Sequence, residues 1–272
     1  MGLATVTGWA RRGFFIPYRY ADSVPGPGKR PPYAAIEALF EARRSVFAGF
    51  LARAEDHADA LRAIAEDPPP EPRWLQNWFP RMDAAIAYVL TRELNPARIV
   101  EVGSGHSTRF YARAVRDDGL NTEITCIDPA PRADIERLGA EVIRAPVQHA
   151  GLDAFGRLAA GDFLVIDSSH ILMPGTDVDL LFNVVMPSLP SGVHVHVHDI
   201  FLPDDYPETW EWRGYNEQQG IAALLQGGDY EIEWASRFAA TRMAGDLEKS
   251  AIGALPILPD VFESSLWLRK RG

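Results

Sequence analysis

The sequence predicts an α/β fold, in which a mostly parallel seven-stranded sheet carries helices on both faces and follows an N-terminal helical extension. Two observations indicate it. The stretch from Ile99 to Thr108 passes abruptly from β-branched apolar residues to the turn Gly103-Ser104-Gly105, a pattern typical of strand, turn and helix. Short strand patterns then alternate with helical ones, which implies right-handed crossovers and parallel strands. The strand candidates are 98–102, 123–127, 141–143, 163–166 and 193–197.

Length and charge bound the possible classes of protein. The chain has 272 residues, 47% of them hydrophobic, which suits one large domain or a domain with an appendage. We expect residues 1–80 to form an arm and a helical extension, and residues 81–272 to form the α/β domain. The net charge of −10 argues against a general nucleic-acid binder, which needs a basic surface to replace counterions.

The cellular setting is predicted from what the sequence lacks. It contains no apolar run of membrane-spanning length, and its N-terminus lacks the apolar run of a secretory signal. The single cysteine, Cys126, excludes an intrachain disulfide and a cysteine-cluster metal site, and we expect a buried free thiol. The expected compartment is the cytoplasm, with no membrane contact.

The N-terminal third has two parts. Glycine and proline interrupt residues 1–32, yet the apolar side chains from Phe14 to Tyr20 do not suit a floppy tail. We expect an ordered arm that packs on the body or on a partner subunit, which suggests a homodimer. Helical spacing of apolar residues predicts one long helix or two shorter ones from Pro32 to about Asp67, ended by Pro68-Pro69-Pro70.

The remaining elements frame the sheet. Trp74 and Trp78 lie in a connector, where they either pack as core or line the mouth of a substrate site. A helix is predicted over 81–94 and another over about 216–226, with an aromatic, proline-rich loop at 201–212 before the second. The patterns at 230–234 and 265–268 suggest an antiparallel strand pair.

The sequence of the glycine turn can be compared with three known motifs that contain such a turn. A P-loop needs a lysine after its second glycine, whereas His106 follows Gly105. A nucleophile elbow needs the pattern G-x-S-x-G, whereas Ser104 lies directly between two glycines. The dinucleotide fingerprint matches two glycines but has Thr108 where the third should allow close helix packing, so it remains only a weaker candidate.

Three strand ends, taken in order, resemble the class I S-adenosylmethionine-dependent methyltransferases: Glu101-Val-Gly103-Ser-Gly105, Cys126-Ile127-Asp128 and Val165-Ile166-Asp167. The resemblance covers about residues 97–200. It is closest to small-molecule O-methyltransferases whose fourth strand ends in Asp before a polar turn containing His, as in Asp167-Ser168-Ser169-His170. It implies a Rossmann-like fold and S-adenosylmethionine as cofactor.

The resemblance also implies a role for individual residues around that cofactor. The two glycines would admit its methionine part, and the nearby hydroxyls would bond its charged ends. Asp128 would accept hydrogen bonds from the ribose hydroxyls, as in dinucleotide folds, or else cap a helix. Glu101 would face the cofactor's ammonium or serve as a structural tie, and Gln148 would lie near the adenine. The full cofactor set is Glu101, Gly103, Ser104, Gly105, Ser107, Asp128 and Gln148.

A histidine ladder marks the fifth strand. In His194-Val195-His196-Val197-His198 the imidazoles share one face, and successive ones lie ~6.6 Å apart along a strand. One metal ion cannot readily take all three, so we expect His194 and His196 to be core histidines with hydrogen-bond partners. His198 and Asp199 differ because they end the strand beside Asp167.

Two mechanisms compete at Asp167, His170, His198 and Asp199. Metal-dependent O-methyltransferases of the resembling family place an Asp after the fourth strand and an Asp-Asn or Asp-Asp pair after the fifth, where this chain has His198-Asp199. In the first mechanism a divalent ion such as Mg²⁺, held by Asp167, His198 and Asp199, acidifies the substrate hydroxyl. In the second, His198 or His170 acts as general base, oriented by an aspartate.

The resulting hypothesis is an S-adenosylmethionine-dependent methyltransferase that acts on a hydroxyl of a small molecule or sugar. A non-catalytic binding module with the same fold is the first alternative, and a nicotinamide-dependent oxidoreductase is the second. Polar residues at three strand ends favour an enzyme over the binding module, since an unused pocket has no chemical need for them.

Overall fold

A computed structural model describes residues 2–64 and 67–272 of the chain. Its centre is one seven-stranded sheet with the order β3-β2-β1-β4-β5-β7-β6. All neighbouring strands are parallel except β7, which runs antiparallel to both β5 and β6. This confirms the predicted fold and strands, which are β1 (Arg98–Val102), β2 (Glu123–Ile127), β3 (Glu141–Ile143), β4 (Phe163–Ile166), β5 (His194–Val197), β6 (Tyr230–Ala235) and β7 (Leu266–Lys270).

The strand order decides where a ligand can bind. β2 and β3 extend the sheet to one side of β1, whereas β4 and β5 extend it to the other, so the order reverses between β1 and β4. In open α/β sheets a crevice forms at such a point, outside the carboxyl ends of the strands. Every residue of β4 is buried, since helices cover both faces of a central parallel strand.

Helices cover the sheet on both faces. The helix α5 spans the predicted residues and ends where Asn95 adopts a left-handed conformation (φ 46°) before Pro96. Helices run as crossovers between β1 and β2, between β3 and β4, and between β4 and β5, and α10 closes at the left-handed Gly228 as expected. The helices are α1 (Gly2–Val6), α2 (Ala34–Glu41), α3 (Arg44–Arg53), α4 (Ala58–Ala63), α5 (Arg81–Leu94), α6 (His106–Asp117), α7 (Asp153–Gly156), α8 (Asp177–Leu180), α9 (Met186–Ser188), α10 (Glu217–Gly227), α11 (Ser236–Arg242) and α12 (Ala244–Glu248), with a π-helical turn, Leu181–Val185, between α8 and α9.

The helical extension departs from its prediction. It consists of the three short helices α2, α3 and α4 with a 3₁₀ turn at Ala54–His57, rather than one or two longer helices. The helices are short because they follow the edge of the sheet: Phe47 packs on Trp234 of β6 and on Phe238 of α11. The last helix ends at Ala63, just before residues 65 and 66, where the predicted helix lies outside the described residues. The extension thus shares a core with the sheet, and the boundary at residue 80 stays a prediction.

The N-terminal arm is held mainly at its base. Arg30 pairs with Asp205, whose carboxylate also accepts a hydrogen bond of 3.0 Å from the Gly28 amide. Further toward the N-terminus the arm exposes most of its large apolar side chains, including Trp9 at 84% and Phe15 at 67%. Across the described part of the chain, no helix is long and apolar enough to cross a membrane.

Candidate active site

The glycine turn after β1 is tightly pinned to its neighbours. Gly103 has a φ of +80°, and a Cβ at this position would lie 1.9 Å from the carbonyl oxygen of Asp167. Its amide donates to the carbonyl of Ile127 at the end of β2. Only glycine fits both the backbone conformation and the contact, so the turn brings the ends of β1, β2 and β4 together.

A cavity of about 890 Å³ opens at these strand ends, within the range of small-molecule sites. Of the residues predicted to bind a cofactor, Gly103, Ser104, Asp128 and Gln148 line it, and Asp167 lines it as well. The arm contributes Gly13, Phe14 and Ile16 to the outer wall, which the sequence did not predict.

Asp128 is held rigidly at the floor of this cavity. One carboxylate oxygen accepts hydrogen bonds from the Ser104 amide (2.7 Å) and hydroxyl (3.0 Å), and the other accepts from the Ala130 amide (2.7 Å). A carboxylate has about four acceptor positions, so one direction stays available to a ligand hydroxyl. The residue therefore caps the turn and also faces the cavity.

Glu101, Ser107 and Gly105 lie behind the cavity wall. The buried Glu101 carboxyl accepts hydrogen bonds from the hydroxyls of Ser107 and Thr108, in the first turn of α6. Burial raises the pKa of Glu101 to about 7. Thr108 also accepts a hydrogen bond from the Gly105 amide. These residues tie α6 to β1, which matches the structural tie considered for Glu101.

The second predicted group of residues assembles around Asp167, because β4 and β5 are neighbours. His170 Nε2 lies 3.3 Å from Asp167 Oδ1 and 3.5 Å from Asp199 Oδ2. His198 Nδ1 lies 3.5 Å from Asp167 Oδ1 and 3.5 Å from Asp199 Oδ1. His170 and Asp199 both have left-handed φ angles of about 60°, at 60° and 58°. Such backbone strain in non-glycine residues is common at functional sites.

Each imidazole is backed by a buried carboxylate that the sequence did not reveal. His198 Nε2 donates to Asp83 of α5 over 3.3 Å, and His170 Nδ1 lies 2.8 Å from Glu217 of α10. Asp83 and Glu217 are fully buried. The available signal was the acidic residue at position 83 on a helix whose neighbouring positions are apolar.

Charges in the cluster reinforce one another. Burial disfavours the charged form of His198, but the nearby charges of Asp199 and Asp167, together with the hydrogen bond to Asp83, hold its pKa well above the ordinary value. Burial also opposes ionisation of His170, whose hydrogen bonds to Asp167 and Glu217 raise its pKa. Burial likewise disfavours the Asp167 carboxylate, yet the charge of His198 and the hydrogen bond from His170 keep its pKa well below the usual range.

The other two ladder histidines are core residues, as expected. His196 pairs with Tyr111 Oη and Ser265 Oγ, both at 2.8 Å, and stacks on Trp267. Burial lowers the pKa of His196 to about 3, so it stays neutral. His194 lies 2.7 Å from Glu233. Neither imidazole contacts Asp167 or Asp199.

A smaller cavity of about 130 Å³ adjoins the cluster on its far side. Asp167, His198 and Asp199 form its floor, and Trp78 and Trp210 stand at its walls. Trp74, in contrast, is buried against Phe110, so the two tryptophans of the connector divide between the two predicted roles. Asp167 lines both cavities.

Comparison with known proteins finds one matching family model and several similar solved structures. A family model described as a methyltransferase domain matches residues 100–200. No curated protein matches the chain. Similar solved structures include the SAH-bound methyltransferase PaMTH1 of Podospora anserina (15% identity, 90% of this chain and 100% of that one, TM-score 0.45). A putative O-methyltransferase of Klebsiella pneumoniae (12%, 87% and 97%, 0.43) and CmcI with magnesium and S-adenosylmethionine (15%, 68% and 69%, 0.40) are also similar.

Proposed function

We propose that the protein is an S-adenosylmethionine-dependent methyltransferase that methylates a hydroxyl oxygen of a small molecule or sugar. The methyltransferase-domain model that matches residues 100–200 supports this. One observation carries the proposal: Asp167 lies on both the large cavity and the small one. A cofactor in the first and an acceptor in the second would meet at the Asp167 carboxylate. The surrounding imidazoles would handle the acceptor's proton there.

Different residues of the large cavity suit different portions of the cofactor. Gly103 and Ser104 would face its methionine portion, and the remaining acceptor direction of Asp128 would take a ribose hydroxyl. Gln148 would lie near the adenine. Glu101 and Ser107 would act indirectly, by holding the start of α6 in place.

The chain's own residues supply positioning and proton transfer. The raised pKa values of His170 and His198 keep both imidazoles protonated in the free protein, so either must first release its own proton before it takes that of the acceptor hydroxyl. Each of these imidazoles is oriented by a carboxylate. Trp78 and Trp210 would hold a flat acceptor and keep water away. The bound cofactor supplies a methyl group activated by its positively charged sulfur.

A divalent metal ion such as Mg²⁺ fits the same cluster. His198 Nδ1 is buried without a hydrogen-bond partner in residues 2–64 and 67–272, and it faces two carboxylate oxygens. One ligand atom each from Asp167, His170 and Asp199 also lies within 4.8 Å of the others. Asp167, His198 and Asp199 would hold the ion, which would lower the pKa of the acceptor hydroxyl.

The experiment pairs cofactor binding with methyl transfer. Calorimetry should show S-adenosylhomocysteine binding, and mass spectrometry with a panel of hydroxylated small molecules should show a product 14 mass units heavier. Asp167→Ala should abolish the product while retaining a folded protein. If the purified protein binds no cofactor at millimolar concentration, the proposal is wrong.

The non-catalytic alternative makes a different prediction. A binding module would bind the cofactor, yet no member of the panel would be methylated and Asp167→Ala would bind as the unaltered protein does. Preferential binding of a nicotinamide cofactor would favour the oxidoreductase instead. The strained, charged cluster at the junction of two cavities favours catalysis.

We also propose that the partners are a small-molecule acceptor and a second copy of this chain, with neither nucleic acid nor membrane among them. The exposed apolar side chains of the arm support the homodimer. Sedimentation equilibrium on the full chain, compared with a variant lacking residues 2–24, tests it. The cytoplasm is the proposed compartment, in keeping with the buried free thiol of Cys126.

A further inference from the structure

We propose that the ion of this cluster is held by imidazole nitrogen as well as carboxylate oxygen, and that the site therefore selects a first-row transition ion over magnesium. The inference rests on the proposed function in that it takes the space between Asp167 and Asp199 as the metal centre. It adds His170 to the ligands, assigns Asp83 and Glu217 as positioning residues, and names the class of ion.

One ring nitrogen of His198, Nδ1, is unpaired within the described part of the chain. Its side chain is 5% exposed, and Nδ1 makes no hydrogen bond to any described residue. A buried polar atom without a partner destabilises the fold, so such atoms need an explanation. This nitrogen lies 3.5 Å from one oxygen of Asp167 and from one of Asp199, where an ion would complete its coordination.

The orientation of the His198 ring also suits a metal ligand. A histidine that binds a metal through one nitrogen usually donates its other N–H to a carboxylate, which fixes the ring and makes it more basic. Asp83 fills that role behind His198, and the amides of Ser264 and Ser265 fix Asp83 in turn, each at 2.9 Å. The ring is thus set before any ion arrives.

His170 repeats the arrangement from the opposite side. Glu217 lies 2.8 Å from its Nδ1, and Nε2 faces Asp167 and Asp199 at 3.3 and 3.5 Å. Two strands and two helices therefore aim two preset imidazoles at the same pair of carboxylates. A chance pair of surface histidines would lack both the burial and the buried carboxylates.

The donor atoms then indicate the ion. Carboxylate, carbonyl and water oxygens suit magnesium, which needs a near-octahedral oxygen shell, whereas imidazole suits zinc, iron, cobalt and nickel. His198 and His170 each direct an imidazole nitrogen toward the carboxylate oxygens of Asp167 and Asp199. Replacing an oxygen donor by nitrogen shifts the preference toward the transition ions.

The experiment loads the metal-free full chain with Mn²⁺ and records electron spin-echo modulation from ¹⁴N. Coupling to an imidazole nitrogen is expected in the unaltered protein, weaker in His198→Asn and in His170→Asn. His194→Asn, on the same strand and paired with Glu233, is the matched control and should retain the coupling. Mn²⁺ that binds without any ¹⁴N coupling would show an all-oxygen site and overturn the proposal.

Affinities provide the second measurement. We expect Co²⁺ to bind at least about 100-fold more tightly than Mg²⁺, and His198→Asn to lower Co²⁺ affinity about 10- to 100-fold while changing Mg²⁺ affinity less than twofold. The proposal is contradicted if His198→Asn lowers the affinities for Co²⁺ and Mg²⁺ equally, or if the unaltered protein binds neither ion. S-adenosylhomocysteine binding is measured on the same metal-free protein, so loss of the metal site and failure of the methyltransferase function give separate results.

Discussion

Asp83 Oδ2 lies 3.3 Å from Nε2 of His198, so a carboxylate on α5 fixes an imidazole at the end of β5. Asp83 is fully buried, and its two oxygens also accept the amides of Ser264 and Ser265. A helix before the first strand therefore controls the geometry of the proposed catalytic cluster. Neither Asp83 nor its partner amides line the cofactor cavity.

Asp83→Asn should lower kcat by about 10- to 100-fold while the affinity for S-adenosylhomocysteine changes less than twofold. The amide has only one acceptor oxygen, so His198 loses its charged partner. Steady-state kinetics and calorimetry provide the two readouts. Thr91→Val, which removes another buried polar group of α5, is the control and should leave kcat unchanged. A folded Asp83→Asn protein with normal kcat would contradict the positioning role.

Asp128→Asn should weaken binding of S-adenosylhomocysteine by about 10- to 100-fold, because a hydrogen bond to a charged group contributes about 1.5–3 kcal/mol. The side-chain NH2 group of the new asparagine could also face the Ser104 amide, which now donates a hydrogen bond to the Asp128 carboxylate over 2.7 Å, and two donors cannot bond each other. Calorimetry on the metal-free protein measures the change. Asp134→Asn, an exposed acid on the same loop, should bind as the unaltered protein does. Equal affinity for all three proteins would place the ribose elsewhere.

Gly103→Ala should destabilise the fold by several kcal/mol, because the new Cβ would meet the Asp167 carbonyl oxygen at 1.9 Å. Gly119→Ala is a matched control, since Gly119 also has a positive φ of +59° but nothing within 4 Å of an added Cβ. The control should cost only about 1 kcal/mol, from backbone strain alone. Urea denaturation measures both. If both variants lose the same unfolding free energy, the ends of β1 and β4 can move apart without further cost and the prediction is wrong.

The sequence predicts those features of the structure that depend on residues close together in the chain, and it misses those that depend on residues far apart. Strand and helix bounds from Arg81 onward follow local periodicity, and parallel topology then brings Asp167 next to His198, so these predictions are confirmed. Asp83 and Glu217 were missed because their partners lie 115 and 47 residues away, and no local pattern encodes such pairs. The division of the extension into short helices was missed for the same reason, because it depends on the packing of Phe47 against Trp234, which is distant in the sequence.

The N-terminal arm forms part of the wall of the large cavity. Phe14 and Ile16 line the outer wall although both are largely exposed, so a bound cofactor would cover part of their surface. Replacing both with serine should raise the dissociation constant of S-adenosylhomocysteine several-fold through lost apolar burial. Trp9→Ser, on the same arm but not on that wall, should have no effect on binding. An unchanged affinity for the double variant would mean that the arm does not contribute to the site.

The buried Glu101 carboxyl makes stability depend on pH. Its pKa is 4.5 in a model compound and about 7 in the folded chain, where burial disfavours the charge. Below pH 4.5 both states are protonated and the contribution of Glu101 is fully present. As pH rises, the unfolded chain loses its proton first, so stability falls until the folded carboxyl has also ionised above pH 7. The total loss is about 3 kcal/mol, from 1.36 kcal/mol per pKa unit.

Glu101→Gln should remove that slope, since the amide does not titrate and can still bond Ser107 and Thr108. The difference in unfolding free energy between variant and unaltered protein should therefore shift by about 3 kcal/mol in favour of the variant between pH 4.5 and pH 8. Urea denaturation across that range measures it, and Glu141→Gln, at an exposed carboxyl on β3, should run parallel to the unaltered protein. Parallel curves for Glu101→Gln as well would mean that Glu101 is ionised throughout and that the hydroxyls of α6 bond a carboxylate.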